Sequence, residues 1–208
     1  MESIIDKMKP LQHINNLNME IVTFFSNLDF NSEEHSYKHG DRTLSSVSSY
    51  IKKYVEPFDA YKIAGFVAKK RGVSREEILQ EWEDKKNKAC NKGNKAHSFG
   101  EEYKKGMIPS DKYEEAIVAF WDSLPEHIIP MTFELQMYSI ELGMAGTSDI
   151  VLYNTKTNKF IIADYKTNED LFKNYKGKKL LPPFNTMVDS PYSKYQIQLS
   201  FYQLLFEQ

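Results

Sequence analysis

The hydrophobic pattern of this chain changes from helical to strand spacing near Pro130, and this change constrains the fold more than any other feature. After Pro130, the apolar residues Phe133, Leu135 and Met137 alternate with polar ones, as in a strand with one buried face. The next stretch, GTSDIVLYNTKTNKFIIADYKTN (146–168), reads as two apolar strands joined by a polar turn. Three neighbouring antiparallel strands are therefore expected at the centre of the fold.

Helical patterns flank these strands. The predicted helices are 17–28, 45–70 with a break near Pro57, 74–97 opened by a Ser74–Glu77 capping box, 111–124, and a last helix after an N-cap at Ser190. A weak alternation around His39-Gly40-Asp41 predicts a small hairpin in the N-terminal part. The last helix is apolar on most sides, so we expect it to be largely buried, and the chain stops inside it as a truncated chain would.

These patterns predict one α+β domain spanning residues 1–208, with a mostly antiparallel central sheet flanked by helices. Residues 1–128 would form a mainly helical part with the small hairpin, and 129–208 the sheet core and its helix.

The composition narrows the class of protein. The chain has 208 residues, of which 41% are hydrophobic and 27% charged, as in a globular domain. Its net charge of −2 excludes a uniformly basic nucleic-acid coat, so any such surface must be local. The single cysteine excludes an internal disulfide, a four-cysteine zinc site and an all-cysteine iron–sulfur cluster. No signal peptide and no run of ~18 apolar residues is found, so we expect a cytoplasmic protein without a membrane partner.

Two aspartates and a lysine interrupt the otherwise apolar hairpin. If the turn is centred between Lys156 and Thr157, Asp149 faces Asp164 across the strand pair, with Cβ atoms ~4.5–5.5 Å apart. Two carboxylates that close require a proton or a cation between them, and oxygen ligands favour Mg²⁺ or Mn²⁺. Lys166 shares the face of Asp164 and could orient a water or neutralise charge on a phosphate. Such a site would suit hydrolysis of a phosphodiester; the alternative is a pair of solvated strand ends.

Four segments in this part of the chain resemble the motifs of a known nuclease superfamily. They are Gly93-Asn94-Lys95-Ala96-His97, Gly146-Thr147-Ser148-Asp149, Asp164-Tyr165-Lys166 and Gln198-Leu199-Ser200-Phe201-Tyr202. In this order they are similar to the motifs of the PD-(D/E)xK nucleases, in particular the RecB-type exonucleases that include phage enzymes and the mitochondrial genome maintenance exonuclease. The segments span residues 93–202, about half the chain.

The resemblance implies a restriction-endonuclease-like core and a metal-dependent DNase. It implies that Asp149, Asp164 and the backbone carbonyl of Tyr165 hold Mg²⁺ or Mn²⁺, and that His97 is a metal ligand or contacts the substrate end. Lys166, Gln198 and Tyr202 would complete the catalytic set. Relatives that carry an iron–sulfur cluster have four cysteines, so no such cluster is expected here.

The implied activity is exonucleolytic cleavage of single-stranded DNA in replication, recombination or repair, with proteins of those processes as partners and a phage origin as one setting. Two alternatives remain open. One is a site-specific or structure-specific endonuclease with the same core, and the other is a DNA-binding accessory protein without catalysis.

Further residues are candidates for supporting roles. Glu101 lies one helical turn after His97, with Glu102 as its rival, and Glu134 occupies a polar position in the strand before the hairpin. Each could equally be an ordinary outward-facing glutamate. Lysines bind phosphates and aromatic rings stack on bases, so the candidate DNA-binding residues are Lys92, Lys95, Phe172, Lys173, Tyr175, Lys176, Lys178 and Lys179. Lys92 and Lys95 belong to a basic stripe that leads to His97 and also contains Lys85, Lys86 and Lys88. For Lys173, Lys176, Lys178 and Lys179, a solvated lysine loop is the commoner explanation.

Overall fold

The computed structural model of the protein describes residues 4–31 and 36–208. The elements are α1 (Ile4–Phe24), β1 (Asp29–Asn31), β2 (Ser36–His39), β3 (Arg42–Ser46), α2 (Val47–Lys52), α3 (Ala60–Arg71), α4 (Arg75–Glu102), α5 (Lys112–Ser123), β4 (Ile128–Ser139), β5 (Met144–Asn154), β6 (Lys159–Ala163) and α6 (Pro191–Phe206). The predicted α+β class is confirmed. None of the helices in these ranges is both long enough and apolar enough to cross a membrane.

The central strand of the sheet is β5, which pairs antiparallel with β4 on one side and with β6 on the other. The sequence placed the small N-terminal hairpin in the mainly helical part of the chain. In the structure this hairpin is part of the sheet. Strands β1, β2 and β3 form an antiparallel meander, and β3 pairs in parallel with the start of β5 through Ser45 and Ser46. Leu44 and Ala145 pack in one cluster at this junction, and this burial joins the meander to the sheet.

The β5–β6 hairpin has the register expected from its turn. Ile150 pairs with Ala163 and Asn154 with Lys159, so Asp149 and Asp164 are the next residues after the last pair. The side chain of Asn154 accepts hydrogen bonds from the backbone N–H groups of Lys156 and Thr157, at 3.0 and 3.2 Å. Such a bond from asparagine to its own turn holds the loop length, and the loop length sets the register.

Helices cover both faces of the sheet. On one face, α2 and α6 contribute Val47, Ile197 and Leu205 to the main core, which also contains Val151 of β5. On the other face, Ile150 lines a cavity of about 250 Å³ together with residues of α4 and α5. The alternation of Ile150 and Val151 along the strand thus places α4 on the face opposite to α6.

The last helix is less buried than its composition predicted. Ile197, Tyr202 and Leu205 are buried, but Leu204 is 46% exposed, and Gln196 and Ser200 are also exposed. The helix lies on the sheet with one side only, so the apolar residues on its far side remain in contact with solvent.

Helix α4 forms a pair with α3 and connects this pair to the sheet. Its predicted capping box is present, since the Ser74 side chain accepts from the backbone N–H of Glu77 and the Glu77 side chain from that of Ser74. With 28 residues, α4 is about 42 Å long. Its first half packs against α3 around a small core of Ala64, Ala68 and Ile78. Its last turns reach the ends of the central strands.

Candidate active site

Three carboxylates lie in one row across β4, β5 and β6. Glu134 lies between the pairs Phe133–Ile150 and Leu135–Ser148, so it is opposite Asp149, and Asp164 follows on the other side of β5. Glu134 has a left-handed backbone with φ 48°, a conformation uncommon for a residue other than glycine. Such strained positions persist where the surrounding structure enforces them, and they concentrate at functional sites.

The two aspartates are held where β5 and β6 begin to separate. The Asp149 N–H donates to Oδ1 of Asp164 at 3.2 Å, and the Tyr165 N–H donates to Oδ2 of Asp149 at 2.6 Å. Side-chain oxygens therefore replace the carbonyls that would continue the ladder. The expected proximity of Asp149 and Asp164 is confirmed.

His97 lies on the last turns of α4 and approaches this row of carboxylates from that helix. Its Nδ1 lies 3.3 Å from Oδ1 of Asp149, and its Nε2 lies 3.1 Å from the backbone carbonyl oxygen of Tyr165. His97, Glu134 and Asp149 each place a ligand-type atom within 4.8 Å of the others. We call these three residues and the Tyr165 carbonyl the donor cluster.

Asp164 lies beside the donor cluster. Among the described residues, the group of converging ligand atoms contains Glu134 and not Asp164. The Asp164 carboxylate instead forms an ion pair with Lys166 and accepts the Asp149 N–H. Glu134 was predicted as a supporting residue only, because an outward-facing glutamate fits its polar position in the strand equally well.

The donor cluster has an excess of negative charge. Loss of water around its carboxyl group, followed by repulsion from Asp149 and Glu101, raises the pKa of Glu134 to about 7, although the residue as a whole is exposed. The hydrogen bond to Asp149 raises the pKa of His97 above its usual value. The burial of Asp164 likewise raises its pKa, against the opposing effect of Lys166. These raised pKa values mean that the three groups hold protons more tightly than usual, at positions where a cation could otherwise bind.

Glu101 and Glu102 are both exposed at the end of α4. The charge of Glu101 acts on Glu134, so Glu101 lies near the donor cluster, as its position one turn after His97 suggested. A direct bond from Glu101 to His97 is not observed, because both imidazole nitrogens of His97 face other partners.

Lys166 lies next to the donor cluster with its ammonium group held on two sides. It contacts the Asp164 carboxylate and lies 4.8 Å from the ring centroid of Tyr195 on α6. Tyr195 in turn donates to Oδ1 of Asn168 at 2.5 Å. Tyr195 was not predicted as a site residue, but its spacing of three and seven residues from Gln198 and Tyr202 places all three on one helical face, which was a usable signal.

Gln198 and Tyr202 form the pair that their spacing predicted. Nε2 of Gln198 donates to the Tyr202 hydroxyl at 2.7 Å. The ring of Tyr202 is buried against Gly146, where a Cβ atom would lie 2.5 Å from the ring. Burial, followed by the charge of Asp164, raises the pKa of Tyr202 above its ordinary value. This pair supports the strand that carries Asp149, and its hydroxyl lies within the field of both aspartates.

Two further contacts position the Tyr165 backbone, and neither was predicted. The Tyr165 ring packs on Gly100 of α4, where a Cβ atom would lie 2.4 Å from the ring. Trp121 Nε1 donates to the Tyr165 hydroxyl at 3.0 Å. A glycine inside a helix costs about 1 kcal/mol relative to alanine, so Gly100 was a signal of close approach.

The predicted DNA-binding lysines differ in whether their ammonium groups already contact other side chains. Lys95 contacts Ser110, Asp111 and the buried Glu114, at 2.8, 2.6 and 3.1 Å, and Lys178 contacts Glu56 at 2.7 Å. Lys92 donates to the Tyr113 hydroxyl at 2.8 Å. The remaining candidates are exposed, namely Phe172, Lys173, Tyr175, Lys176 and Lys179. Lys95 and Lys178 therefore have structural partners that the sequence did not reveal.

No family model, no curated protein and no solved structure matches this chain, so the chemistry of the donor cluster has to be inferred from its own geometry.

Proposed function

We propose that the protein is a divalent-metal-dependent nuclease that hydrolyses phosphodiester bonds in DNA, acting from the ends of single strands. The observation that carries this proposal is the convergence of His97, Glu134, Asp149 and the Tyr165 carbonyl beside the Lys166 ammonium group. The resemblance of the four sequence motifs to the RecB-type exonucleases supports it.

The donor cluster fits a hard divalent cation. Two carboxylates and a carbonyl oxygen suit Mg²⁺ or Mn²⁺, and the imidazole of His97 shifts the preference towards Mn²⁺. The raised pKa values of Glu134 and His97 support a cluster that favours added positive charge. A bound cation would supply Lewis-acid stabilisation of a phosphate and acidify a water molecule.

Lys166 supplies the second element of the site. Asp164 and the Tyr195 ring hold its ammonium group, so little freedom is lost when it meets a ligand. From this position it can orient the attacking water and stabilise negative charge that develops on the phosphate. In the reaction the water oxygen bonds to phosphorus, the bond to the sugar oxygen breaks, and that oxygen leaves with a proton.

Cleavage of end-labelled DNA tests the proposal. Single-stranded and duplex substrates are incubated with Mg²⁺, with Mn²⁺ and with chelator, using the protein and its Asp149→Asn variant. We expect cleavage of the single strand that requires metal and is lost in the variant. Cleavage that persists in chelator, or equally in the variant, would contradict the role of the donor cluster.

A circular single-stranded DNA substrate distinguishes an exonuclease from an endonuclease. An enzyme that acts from ends leaves the circle intact, whereas an endonuclease with the same core cuts it. An accessory protein without catalysis would bind the linear strand and cleave neither substrate. The presence of the complete set Asp149, Asp164 and Lys166 favours a catalytic protein over that third alternative.

A further inference from the structure

A long open cleft runs between α4 and the segment that follows Lys166. Its volume is about 840 Å³, and Pro191 at the start of α6 forms part of its wall. One wall is the middle of α4, and the other consists of residues 167–170 and Lys173. Two stretches of chain that lie far apart in sequence therefore form one surface.

Basic side chains line both walls of this cleft. Lys85, Lys88 and Lys92 come from α4, where their spacing of three and four residues places them on one face, and Lys173 comes from the other wall. The cleft also contains Glu169 and Asp170. Glu169 is 77% exposed and lies 3.8 Å from Lys92, and Asp170 accepts the Phe172 N–H at 3.0 Å. The cleft thus contains four lysines and two carboxylates. The Asp170 carboxylate already accepts a hydrogen bond within its own turn.

The cleft lies next to the segment that carries the Tyr165 carbonyl and Lys166. Thr167, which lines it, follows Lys166 directly, and a Cβ atom on Gly93 of α4 would lie 3.7 Å from the Thr167 hydroxyl. Gly93 is one helical turn before His97. Along α4, the lysine face begins about 18 Å from His97, since Lys85 precedes it by twelve residues. A strand lying in the cleft would therefore be within a few nucleotides of the site, measured along the helix axis.

Two exposed aromatic rings belong to residues that are next in sequence to cleft residues. The rings of Phe172 and Tyr192 lie 4.8 Å apart, and the Tyr192 N–H donates to the Leu171 carbonyl at 2.8 Å. Phe172 is 70% exposed, which buries little apolar surface, and both rings are neighbours in sequence of residues that line the cleft. Exposed rings beside lysines are the arrangement that binds unpaired bases and their phosphates together.

From these observations we infer that the cleft is the path of a single strand to the donor cluster, with Lys85, Lys88 and Lys173 on the phosphates and the Phe172–Tyr192 pair as a platform for a base; Lys92 is already engaged by Tyr113 and Glu169. The inference rests on the proposed function and adds to it the route of the substrate. Duplex DNA is disfavoured on this platform, because its bases are already stacked and paired.

The only cysteine of the chain provides a direct test, because Cys90 lines the cleft and is exposed. Its alkylation by N-ethylmaleimide is followed by mass spectrometry in chelator, with and without a saturating oligothymidylate. We expect alkylation to slow several-fold with the oligonucleotide, to slow less with duplex DNA, and to recover in high salt. Unchanged alkylation at saturation, or no binding of the oligonucleotide, would overturn the inference. An oligouridylate arm shows whether RNA occupies the same path.

Substitutions give an independent measurement by fluorescence anisotropy of the labelled oligonucleotide. Lys88→Met with Lys173→Met should weaken binding and lower the salt dependence by a slope of roughly 0.7 per lysine removed. Lys86→Met is the matched control, since Lys86 is on α4, is paired with Glu83 at 3.1 Å and does not line the cleft. Phe172→Ala should weaken binding about tenfold. Equal effects of the control and the double variant would contradict the inference.

Failure of this inference differs from failure of the proposed function. If DNA is cleaved with metal while Cys90 stays unprotected and the lysine variants bind normally, the strand takes another route and the nuclease proposal stands. If Cys90 is protected but no metal-dependent cleavage occurs, the cleft binds single strands and the catalytic proposal is wrong.

Discussion

The backbone N–H of Tyr165 donates a hydrogen bond to the carboxylate of Asp149, at 2.6 Å. The same residue turns its carbonyl oxygen towards Nε2 of His97, at 3.1 Å. Asp149 therefore holds the residue whose carbonyl brings a further oxygen to the donor cluster. One carboxylate both orders the end of the strand pair and contributes a ligand atom, so removing it should affect metal binding more than removing its neighbour.

Asp149→Asn should reduce the affinity for Mn²⁺ at least tenfold, and Asp164→Asn should reduce it less. Asp149 belongs to the group of converging ligand atoms, whereas the Asp164 carboxylate is engaged by Lys166. Isothermal titration calorimetry of both variants with Mn²⁺ measures the difference. A larger loss in Asp164→Asn would place the metal between the two aspartates instead of between His97, Glu134 and Asp149.

Lys166→Met should lower the rate of DNA cleavage by about a hundredfold to a thousandfold and leave DNA affinity nearly unchanged. The ammonium group acts on charge that develops during the reaction, and the cleft lysines provide most of the binding. Single-turnover cleavage and anisotropy are measured side by side. Lys159→Met, a change at an exposed lysine of β6, serves as the control. Normal turnover in Lys166→Met would remove Lys166 from the mechanism.

The metal-free protein should lose stability as the pH rises from about 6 to about 8. The folded-state pKa of Glu134 is about 7, above the roughly 4.3 of an unfolded glutamate, and the pKa of His97 is also raised. Both groups bind more protons in the folded state over this range, so stability present at low pH disappears as they deprotonate. Carboxylates with lowered pKa values, such as Asp111 and Glu77, titrate below this range.

Urea unfolding in chelator at the two pH values measures this loss. Because Glu134 is exposed, solvent screening limits its share to about 1 kcal/mol. Glu134→Gln should flatten the pH dependence, and Mn²⁺ should stabilise the protein more at the higher pH. A metal-free stability that rises over this range would show that the cluster carries no excess negative charge.

Gly100→Ala should destabilise the protein by about 1–3 kcal/mol, and Gly93→Ala on the same helix should be neutral or stabilising by up to about 1 kcal/mol. A methyl group at residue 100 would lie 2.4 Å from the Tyr165 ring, whereas at residue 93 its nearest neighbour is the Thr167 hydroxyl at 3.7 Å. Urea unfolding of both variants tests the contrast. Gly100→Ala should also weaken Mn²⁺ binding, because Trp121 holds the other end of the ring and its displacement should shift the Tyr165 backbone.

Lys95→Met should lower stability and leave the affinity for single-stranded DNA unchanged. Its ammonium group is shared between Asp111 and the buried Glu114, which would be left without this partner. Thermal unfolding and anisotropy separate the two effects. A loss of DNA affinity without a loss of stability would restore Lys95 to the binding surface that its sequence position suggested.

Patterns within short stretches of sequence predicted most of the helices and strands and the arrangement of the hairpin, although the first helix spans Ile4–Phe24 instead of the predicted 17–28. The turn at Lys156–Thr157 sets the register, and with period two it places Asp149, Asp164 and Lys166 together. The capping box at Ser74 and the pairing of Gln198 with Tyr202 are equally local. These features depend on neighbours within a few residues or across one tight turn, so alternation and helical spacing are sufficient to predict them.

Only the tertiary structure decided which groups converge on the site. The left-handed backbone of Glu134 lies within the pairing of β4 with β5, and His97 is placed by the packing of α4 on the strand ends through Gly100 and Tyr165. The same packing engages Lys95 with Glu114 and brings Lys88 opposite Lys173 in one cleft. Such contacts join residues that are tens of positions apart, and their energies depend on burial and distance in the folded chain, which no local pattern encodes.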